Sequence, residues 1–197
     1  ECILKATHEM AGSLGSTGMI GGQVVDLESE GKRIDAETLE YIHIYKTGFL
    51  IRACIRCGGI LSQATEAELS SLSRFGAHIG LAFQIIDDIL DLEASSDQMG
   101  KPVGNDLKQG VLTLPAILAL ERYPNNNPIV DLFTGKDSEA NLEKALDLVY
   151  NSTVIQDSYS IAHEYQKTAN DALASFPNST HKKALLEACD YVLKRKN

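Results

Sequence analysis

Residues 83–91 read FQIIDDILD, and this stretch lies within a longer pattern that indicates the fold of the chain. Over residues 66–93, apolar side chains recur at steps of three and four and form two stripes, so most of the circumference of a helix there is apolar. We therefore predict a long helix in the middle of an all-α bundle rather than on its surface. The stripes consist of Leu72, Phe75, Ile79, Phe83, Ile86 and Leu90, and of Leu81, Ile85, Ile89 and Leu92.

The rest of the 197-residue chain also predicts helices. Asp35 suits the N-cap of a long helix over 36–62, and Thr65 with Glu68 has the spacing of a capping box that opens the helix ending at 93. Pro115 suits the first position of a helix that ends at 122. Further helical segments are predicted over 8–30, 129–134, 138–150, 154–175 and 179–195, with a glycine-containing loop over 94–112. Without strand patterns or repeats, we predict one all-α domain over 1–197.

The charge balance narrows the possible functions. Acidic residues outnumber basic ones by 27 to 18, which gives a net charge of −9. This argues against a nucleic-acid-binding protein or a basic membrane-surface protein, but a divalent metal and local lysines would still allow a phosphate-bearing substrate. No apolar run reaches the roughly 18 residues of a membrane span, and no secretory signal is visible. We therefore expect a cytoplasmic protein.

Two of the four cysteines have a spacing that requires an interpretation. Cys54-Ile55-Arg56-Cys57 matches the C-x-x-C motif of redox and zinc sites. No βαβ pattern surrounds the motif, and no second cysteine pair completes a zinc ligand set. We therefore interpret Cys54 and Cys57 as two small buried thiols on one helix face.

Four polar residues share one narrow face of the central helix. Gln84, Asp87, Asp88 and Asp91 stand at positions i, i+3, i+4 and i+7, where neighbouring side chains lie only about 5–6 Å apart. Three carboxylates on a mostly buried helix repel one another and lose hydration, so positive charge must face them. Lysine or arginine on a neighbouring helix could supply it. Alternatively, an open cleft, extended along the same face by Gly80 and Ala77, could hold Mg²⁺ ions that bind substrate phosphates.

The predicted helix over 36–62 carries a lysine on its buried stripe. That stripe comprises Leu39, Ile42, Phe49, Leu50, Ala53, Cys57 and Ile60. Lys46 lies among them and is followed by Thr47 and Gly48. Lys46 could neutralise one of the three aspartates across the bundle, or it could bind a diphosphate together with the Thr47 hydroxyl. Lys101, on the predicted loop, could close over a bound phosphate or remain solvated.

Several motifs, in order along the chain, carry a family resemblance. FQIIDDILD at 83–91 resembles the second aspartate-rich motif of the trans-isoprenyl diphosphate synthases, also called polyprenyl synthetases. As in that family, it is preceded by GGQVVDL at 21–27 and KTG at 46–48, and is followed by Gly100-Lys101 and by GNDL at 104–107. KAL at 183–185 and YVL at 191–193 are similar to the family's C-terminal helix. The resemblance covers essentially the whole chain.

The resemblance implies a fold and a reaction. The fold would be an isoprenoid-synthase-type helical bundle with a central diphosphate and Mg²⁺ cleft. The reaction would join an allylic diphosphate to isopentenyl diphosphate by ionisation, condensation and proton loss, giving a longer polyprenyl diphosphate. The implied assembly is a homodimer, with a heterodimer as the alternative.

The resemblance also implies roles for individual residues. Asp87 would be the principal magnesium ligand, with Asp88 and Asp91 as direct or water-mediated partners. Lys46, Thr47 and Lys101 would hold the allylic diphosphate. Gln84 would orient metal-bound waters or the diphosphate, Phe83 would line the reacting pocket, and Gln23 with Asp26 would lie on the facing helix.

Two departures from the family pattern lead to further expectations. No second D-D-x-x-D occurs, and the chain opens at Glu1 rather than methionine, so we expect that the N-terminal helices with the first aspartate-rich motif and the isopentenyl diphosphate site are missing. Val111 stands where many relatives carry a diphosphate-binding lysine. Lys108, one helical turn earlier, is a weaker substitute.

Two other functions compete with the chain-elongating transferase. A terpene cyclase on the same fold would use Mg²⁺ and an allylic diphosphate without isopentenyl diphosphate, but the cyclase metal motif is absent and KTG at 46–48 is present. A catalytically silent helical subunit of a heteromeric synthase would explain the absent first motif. Retention of Asp87, Lys46 and Lys101 argues for a working site instead. The motifs do not predict the length of the product chain.

Overall fold

The computed structural model describes residues 1–93, 104–134 and 138–195, and within these ranges the chain forms helices and no β-strand. In chain order the helices are α1 Cys2–Leu14, α2 Met19–Ser29, α3 Ala36–His43, α4 Phe49–Leu61, α5 Glu66–Glu93, α6 Asn105–Lys108, α7 Leu114–Arg122, α8 Pro128–Phe133, α9 Ser138–Tyr150, α10 Val154–Ala172 and α11 Thr180–Lys194, and a π-helical turn over Ile44–Gly48 joins α3 to α4. The all-α prediction is confirmed. None of the described helices has both the length and the apolar character needed to cross a membrane.

The central position predicted for α5 is confirmed. Half of its 28 residues are buried, and it contacts α3, α4, α6, α7, α10 and α11. Its start has the predicted capping box: the Glu68 carboxylate accepts a hydrogen bond of 2.7 Å from the Thr65 amide, and the Thr65 hydroxyl accepts one of 3.3 Å from the Glu68 amide. Local sequence therefore sets where α5 begins, and burial on most of its sides sets where it lies.

The two long helices predicted upstream are modified in the structure. The stretch 8–30 is divided into α1 and α2 by a turn at residues 15–18, where glycines at both ends weaken the helix. The helix over 36–62 is continuous, and Asp35 caps it by accepting a 2.9 Å hydrogen bond from the Thr38 amide. Its middle widens into the π-helical turn that contains Lys46 and Thr47. Such turns are rare and occur often at functional sites.

Glycines allow three segments to meet at this π-helical turn. A Cβ atom at Gly22 would clash with the backbone nitrogen of Lys46, and a Cβ at Gly80 would lie 2.8 Å from the Cα of Gly48. Helices α2 and α5 therefore approach the turn backbone to backbone. The expectation that Gly80 extends an open cleft is wrong, because this glycine is buried against the turn.

The prediction of two buried thiols is also wrong in part. Cys54 is exposed, Cys57 is half-buried, and all four cysteines are free. The Cys57 thiol lies 3.3 Å from the Ala6 carbonyl oxygen, so α1 covers this side of α4. Cys54 points instead into a wide apolar cavity of about 780 Å³ between α4, the start of α5 and α11.

Candidate functional site

A polar cavity of about 370 Å³ lies where α2, α3, the π-helical turn and the C-terminal half of α5 meet the segment from α6 to the start of α7. It brings together six of the residues predicted from the sequence, namely Gln23, Asp26, Lys46, Gln84, Asp87 and Asp88. Asp106, His43, Glu30, Gln109, Val111 and Thr113 also line it. Residues separated by up to 90 positions in sequence thus line the same cavity.

Lys46 is paired across the cavity with α2. Its Nζ lies 2.6 Å from Oδ2 of Asp26, and the Gln23 amide donates to the same oxygen at 3.5 Å. The ion pair that the structure shows for Lys46 is therefore with Asp26 on α2, a partner that the sequence analysis did not consider. The lysine side chain remains partly exposed, so its ammonium group can also face an anion in the cavity.

Asp88 is the most enclosed of the three aspartates. It is 7% exposed, and its Oδ2 accepts a 3.0 Å hydrogen bond from the Leu114 amide at the start of α7. Nε2 of His43 lies 3.4 Å from the same oxygen. A helix N-terminus stabilises a carboxylate, so these contacts explain how a buried acid is tolerated here.

Asp87 pairs with the end of the chain. The Arg195 guanidinium donates to Oδ1 of Asp87, and its central carbon lies 4.2 Å from the centre of the Phe83 ring. The Asp87 side chain is 50% exposed, so this ion pair is at the edge of the site. Phe83, predicted to line the reacting pocket, lies under Arg195 and is outside the set that lines the polar cavity.

Asp91 faces the short helix α6. Its Oδ2 accepts a 3.1 Å hydrogen bond from the Asp106 amide, and its carbonyl oxygen accepts one of 3.0 Å from Gly104. The pKa of Asp106 is raised to about 7, because the group is half-buried and lies near the negative charges of Asp91 and Asp88, which Lys46 only partly offsets. The cavity is therefore strongly electronegative.

The other residues of the predicted site differ in position. Thr47 is half-buried in the π-helical turn and is not among the residues that line the cavity. Lys101 lies outside the described residues. Val111 lines the cavity where the resemblance predicts a lysine, and Lys108 is exposed on α6.

The donor chemistry suits Mg²⁺, whereas the arrangement offers few ligands to one ion. Carboxylate and amide oxygens are the hard ligands that Mg²⁺ prefers. Among the residues that the structure describes, no three His, Cys, Asp or Glu side chains are placed to hold one metal ion. The three aspartates of α5 have contacts in different directions, so an ion here would take its remaining ligands from water and phosphate oxygens.

Sequence reasoning missed Asp106, His43 and Arg195. Asp106 belongs to the GNDL motif at 104–107, and its place in a motif that carries the family resemblance could have indicated a role. His43 stands three residues before Lys46 on a buried stripe, which is a usable signal for a shared helix face. Arg195 gave no local signal, because its contact with Asp87 joins residues 108 positions apart.

Comparison with known proteins identifies the family. The model of the family described as Polyprenyl synthetase matches residues 4–149. The chain belongs to the polyprenyl synthetase family. Farnesyl diphosphate synthase from Bacillus subtilis is 44% identical over 118 residues, which are 60% of this chain and 40% of that protein. Geranylgeranyl diphosphate synthase from Cyanophora paradoxa is 42% identical over 122 residues, 61% of this chain and 41% of that protein. The chain thus spans about two fifths of the length of these relatives.

Solved structures confirm the isoprenoid-synthase-type fold. A polyprenyl synthase from Caulobacter crescentus, complexed with calcium and isoprenyl diphosphate, has a TM-score of 0.88 and 27% identity over 98% of this chain and 60% of that chain. Geranylgeranyl pyrophosphate synthetase from Pyrococcus horikoshii has a TM-score of 0.79 and 32% identity over 99% of this chain and 57% of that chain.

Proposed function

We propose that this chain supplies the allylic diphosphate site of a Mg²⁺-dependent prenyltransferase that condenses an allylic diphosphate with isopentenyl diphosphate. The observation that carries the proposal is the polar cavity in which Asp26, Asp87, Asp88 and Asp106 surround Lys46. The names of the relatives, which are farnesyl and geranylgeranyl diphosphate synthases, support this reaction.

The charges in the cavity explain why a cation and a diphosphate would bind together. The carboxylates alone would repel a diphosphate, and Lys46 is already paired with Asp26. Asp87 and Asp88 would hold Mg²⁺ from one side, with Asp91 as the third ligand that the resemblance implies. When bound, the metal supplies positive charge where the leaving diphosphate becomes more negative. Lys46 would donate hydrogen bonds to the diphosphate. The resemblance implies that Thr47 and Lys101 would also hold it.

The proposed reaction has three steps, which are ionisation, condensation and proton loss. The allylic carbon–oxygen bond breaks, and its electron pair leaves with the diphosphate. The double bond of isopentenyl diphosphate then attacks the allylic cation, which forms a new carbon–carbon bond and leaves a positive charge on the isopentenyl unit. The released diphosphate takes a proton from the adjacent carbon, and the electron pair of that C–H bond forms the new double bond. The residues of this chain would orient the leaving group, with Gln23 and Gln84 donating or accepting hydrogen bonds at the edge of the cavity. The dimer and the cytoplasmic location stay predictions.

Calorimetric titration with geranyl diphosphate tests the proposal. We expect the chain to bind it in Mg²⁺, to lose binding in EDTA, and to bind at least about tenfold more weakly as the Asp87→Asn variant. Asp131→Asn is the matched control, because Asp131 is an exposed acid on α8 outside the cavity. Equal binding with and without Mg²⁺, or unchanged binding by Asp87→Asn, would contradict the proposal.

A further inference from the structure

His43 is a buried polar residue beside the candidate site. It is the last residue of α3, it is only 6% exposed, and the π-helical turn that carries Lys46 follows it directly. Leu39 and Ile42 on the same helix are buried apolar residues. A buried imidazole requires a polar partner, and the carboxylate of Asp88 lies 3.4 Å from its Nε2.

Two contacts meet at one carboxylate oxygen of Asp88. Oδ2 of Asp88, which faces His43, also accepts the 3.0 Å hydrogen bond from the Leu114 amide. That amide is at the first residue of α7, where backbone N–H groups have no partner within the helix. One carboxylate oxygen therefore joins α3, α5 and α7, and it does so in a buried setting where unmet polar groups are costly.

We propose that His43 is a positioning residue for Asp88, an inference that rests on the proposed function. His43 holds Oδ2 against the start of α7 and leaves Oδ1 as the oxygen that Asp88 can offer to a cation in the cavity. Without this contact the carboxylate can turn about its side-chain bonds, and it presents a less defined ligand.

The neighbouring aspartate shows what this contact adds. Asp87 is half exposed and pairs with Arg195 near the end of the chain, so its carboxylate can move when a ligand arrives. Asp88 has contacts from two packed helices on one oxygen. The pair of adjacent aspartates thus combines one movable and one fixed carboxylate.

Two substitutions of the same position separate positioning from packing. His43→Gln can place an amide donor near the position of Nε2, whereas His43→Leu fills similar volume without a donor. Both are expected to lower the melting temperature, because both disturb a buried site. Hydrogen exchange of the Leu114 amide, followed by NMR without any ligand, is expected to be about tenfold faster in His43→Leu and within about threefold of the unaltered chain in His43→Gln. The Ile86 amide, deep in α5, is the reference for loosening of the whole fold.

Binding supplies the functional readout. With geranyl diphosphate and Mg²⁺, we expect affinity to fall about tenfold in His43→Leu and to stay within about threefold in His43→Gln. Unchanged Leu114 exchange in His43→Leu, or equal losses in the two variants, would overturn the positioning role. Failure of the unaltered chain to bind would instead overturn the proposed function, and Leu114 exchange would still decide whether His43 holds Asp88.

Discussion

The two halves of α5 are held in the bundle by different means. In the N-terminal half, Leu72, Phe75 and Ile79 pack in an apolar cluster against α10 and α11, and directly after them, at the middle of the helix, Gly80 lies against the backbone of Gly48. In the C-terminal half, buried isoleucines remain, but three carboxylates each contact a different element: the end of α11, the pair of α3 and α7, and α6.

This difference predicts different responses to substitution. Close-packed backbone tolerates no added atom, so the first half should be sensitive to volume. Buried charged groups require polar partners. In the second half, the loss of stability should therefore depend on which aspartate is substituted and on the pH. Close packing in the first half of α5 thus fixes the position of the site, and the second half supplies its charged groups.

The largest effect is expected where α5 meets the π-helical turn. Gly80→Ala would place a Cβ 2.8 Å from the Cα of Gly48, and we expect the free energy of unfolding in urea to fall by about 2–3 kcal/mol. Gly58→Ala is the control, because a Cβ at this helical position meets nothing within 4 Å. It should leave stability unchanged or raise it by up to about 1 kcal/mol. Equal changes in unfolding free energy for the two glycine variants would show that α5 is not sensitive to added volume where it meets the turn.

Adjacent aspartates should differ in what they contribute to stability. Asp88→Ala leaves the Leu114 amide and His43 without their buried partner, and we expect a loss of about 2 kcal/mol in unfolding free energy. Asp87→Ala removes a half-exposed ion pair, so its loss should be below about 1 kcal/mol. Denaturant titrations of both variants under one condition make the comparison, and equal losses would show that burial does not separate the two acids.

A pH effect is expected from Asp106. Its pKa is raised from 3.8 to about 7 in the folded state, so the folded chain binds this proton more tightly than the unfolded chain. Stability must then fall as pH rises through this interval and level off above about 7. In Asp106→Asn, the fall in unfolding free energy between pH 5.5 and 7.5 should be smaller by about 1 kcal/mol. This value is reduced because the side chain is partly in contact with solvent. An unchanged pH profile in the variant would contradict the electronegative cavity.

The smallest effect is expected at the end of the chain. Arg195→Gln removes the ion pair with Asp87 and the contact with the Phe83 ring, and we expect a loss below about 1 kcal/mol. Because one partner is half exposed, high salt should shrink the difference between variant and unaltered chain. Urea unfolding at low and high salt is the measurement. A difference that grows with salt would mean that Arg195 contributes through packing rather than charge.

Local patterns allowed much of this structure to be predicted. The bounds of α5, its capping box and the Asp35 cap follow from neighbouring residues, and the face shared by Gln84, Asp87 and Asp88 follows from helical periodicity. The buried stripe of the helix over 36–62 drew attention to Lys46, and the family resemblance added Gln23 and Asp26; all three line the same cavity.

What could not be predicted depends on partners remote in sequence. Periodicity places Asp87 on a face, but it does not show that Arg195 reaches that face from the end of α11. Likewise, nothing local distinguishes Cys54, which faces a cavity, from Cys57, which α1 covers. The raised pKa of Asp106 arises from charges on α5 and so appears only once the helices are assembled.

The π-helical turn also gives the helix that contains it one extra residue. Its hydrogen bonds join residues i and i+5 instead of i and i+4, so the helix remains continuous around the added residue. Before the turn Leu39 faces the cluster that contains Leu92 and Leu112, and after it Ile60 faces Ala6 and Leu69. Deleting one residue from Ile44–Gly48 would therefore let the segment close into a regular α-helix, and these two apolar contacts would keep nearly the same direction. The change would instead remove the widened backbone that carries Lys46 at the cavity and Gly48 against Gly80.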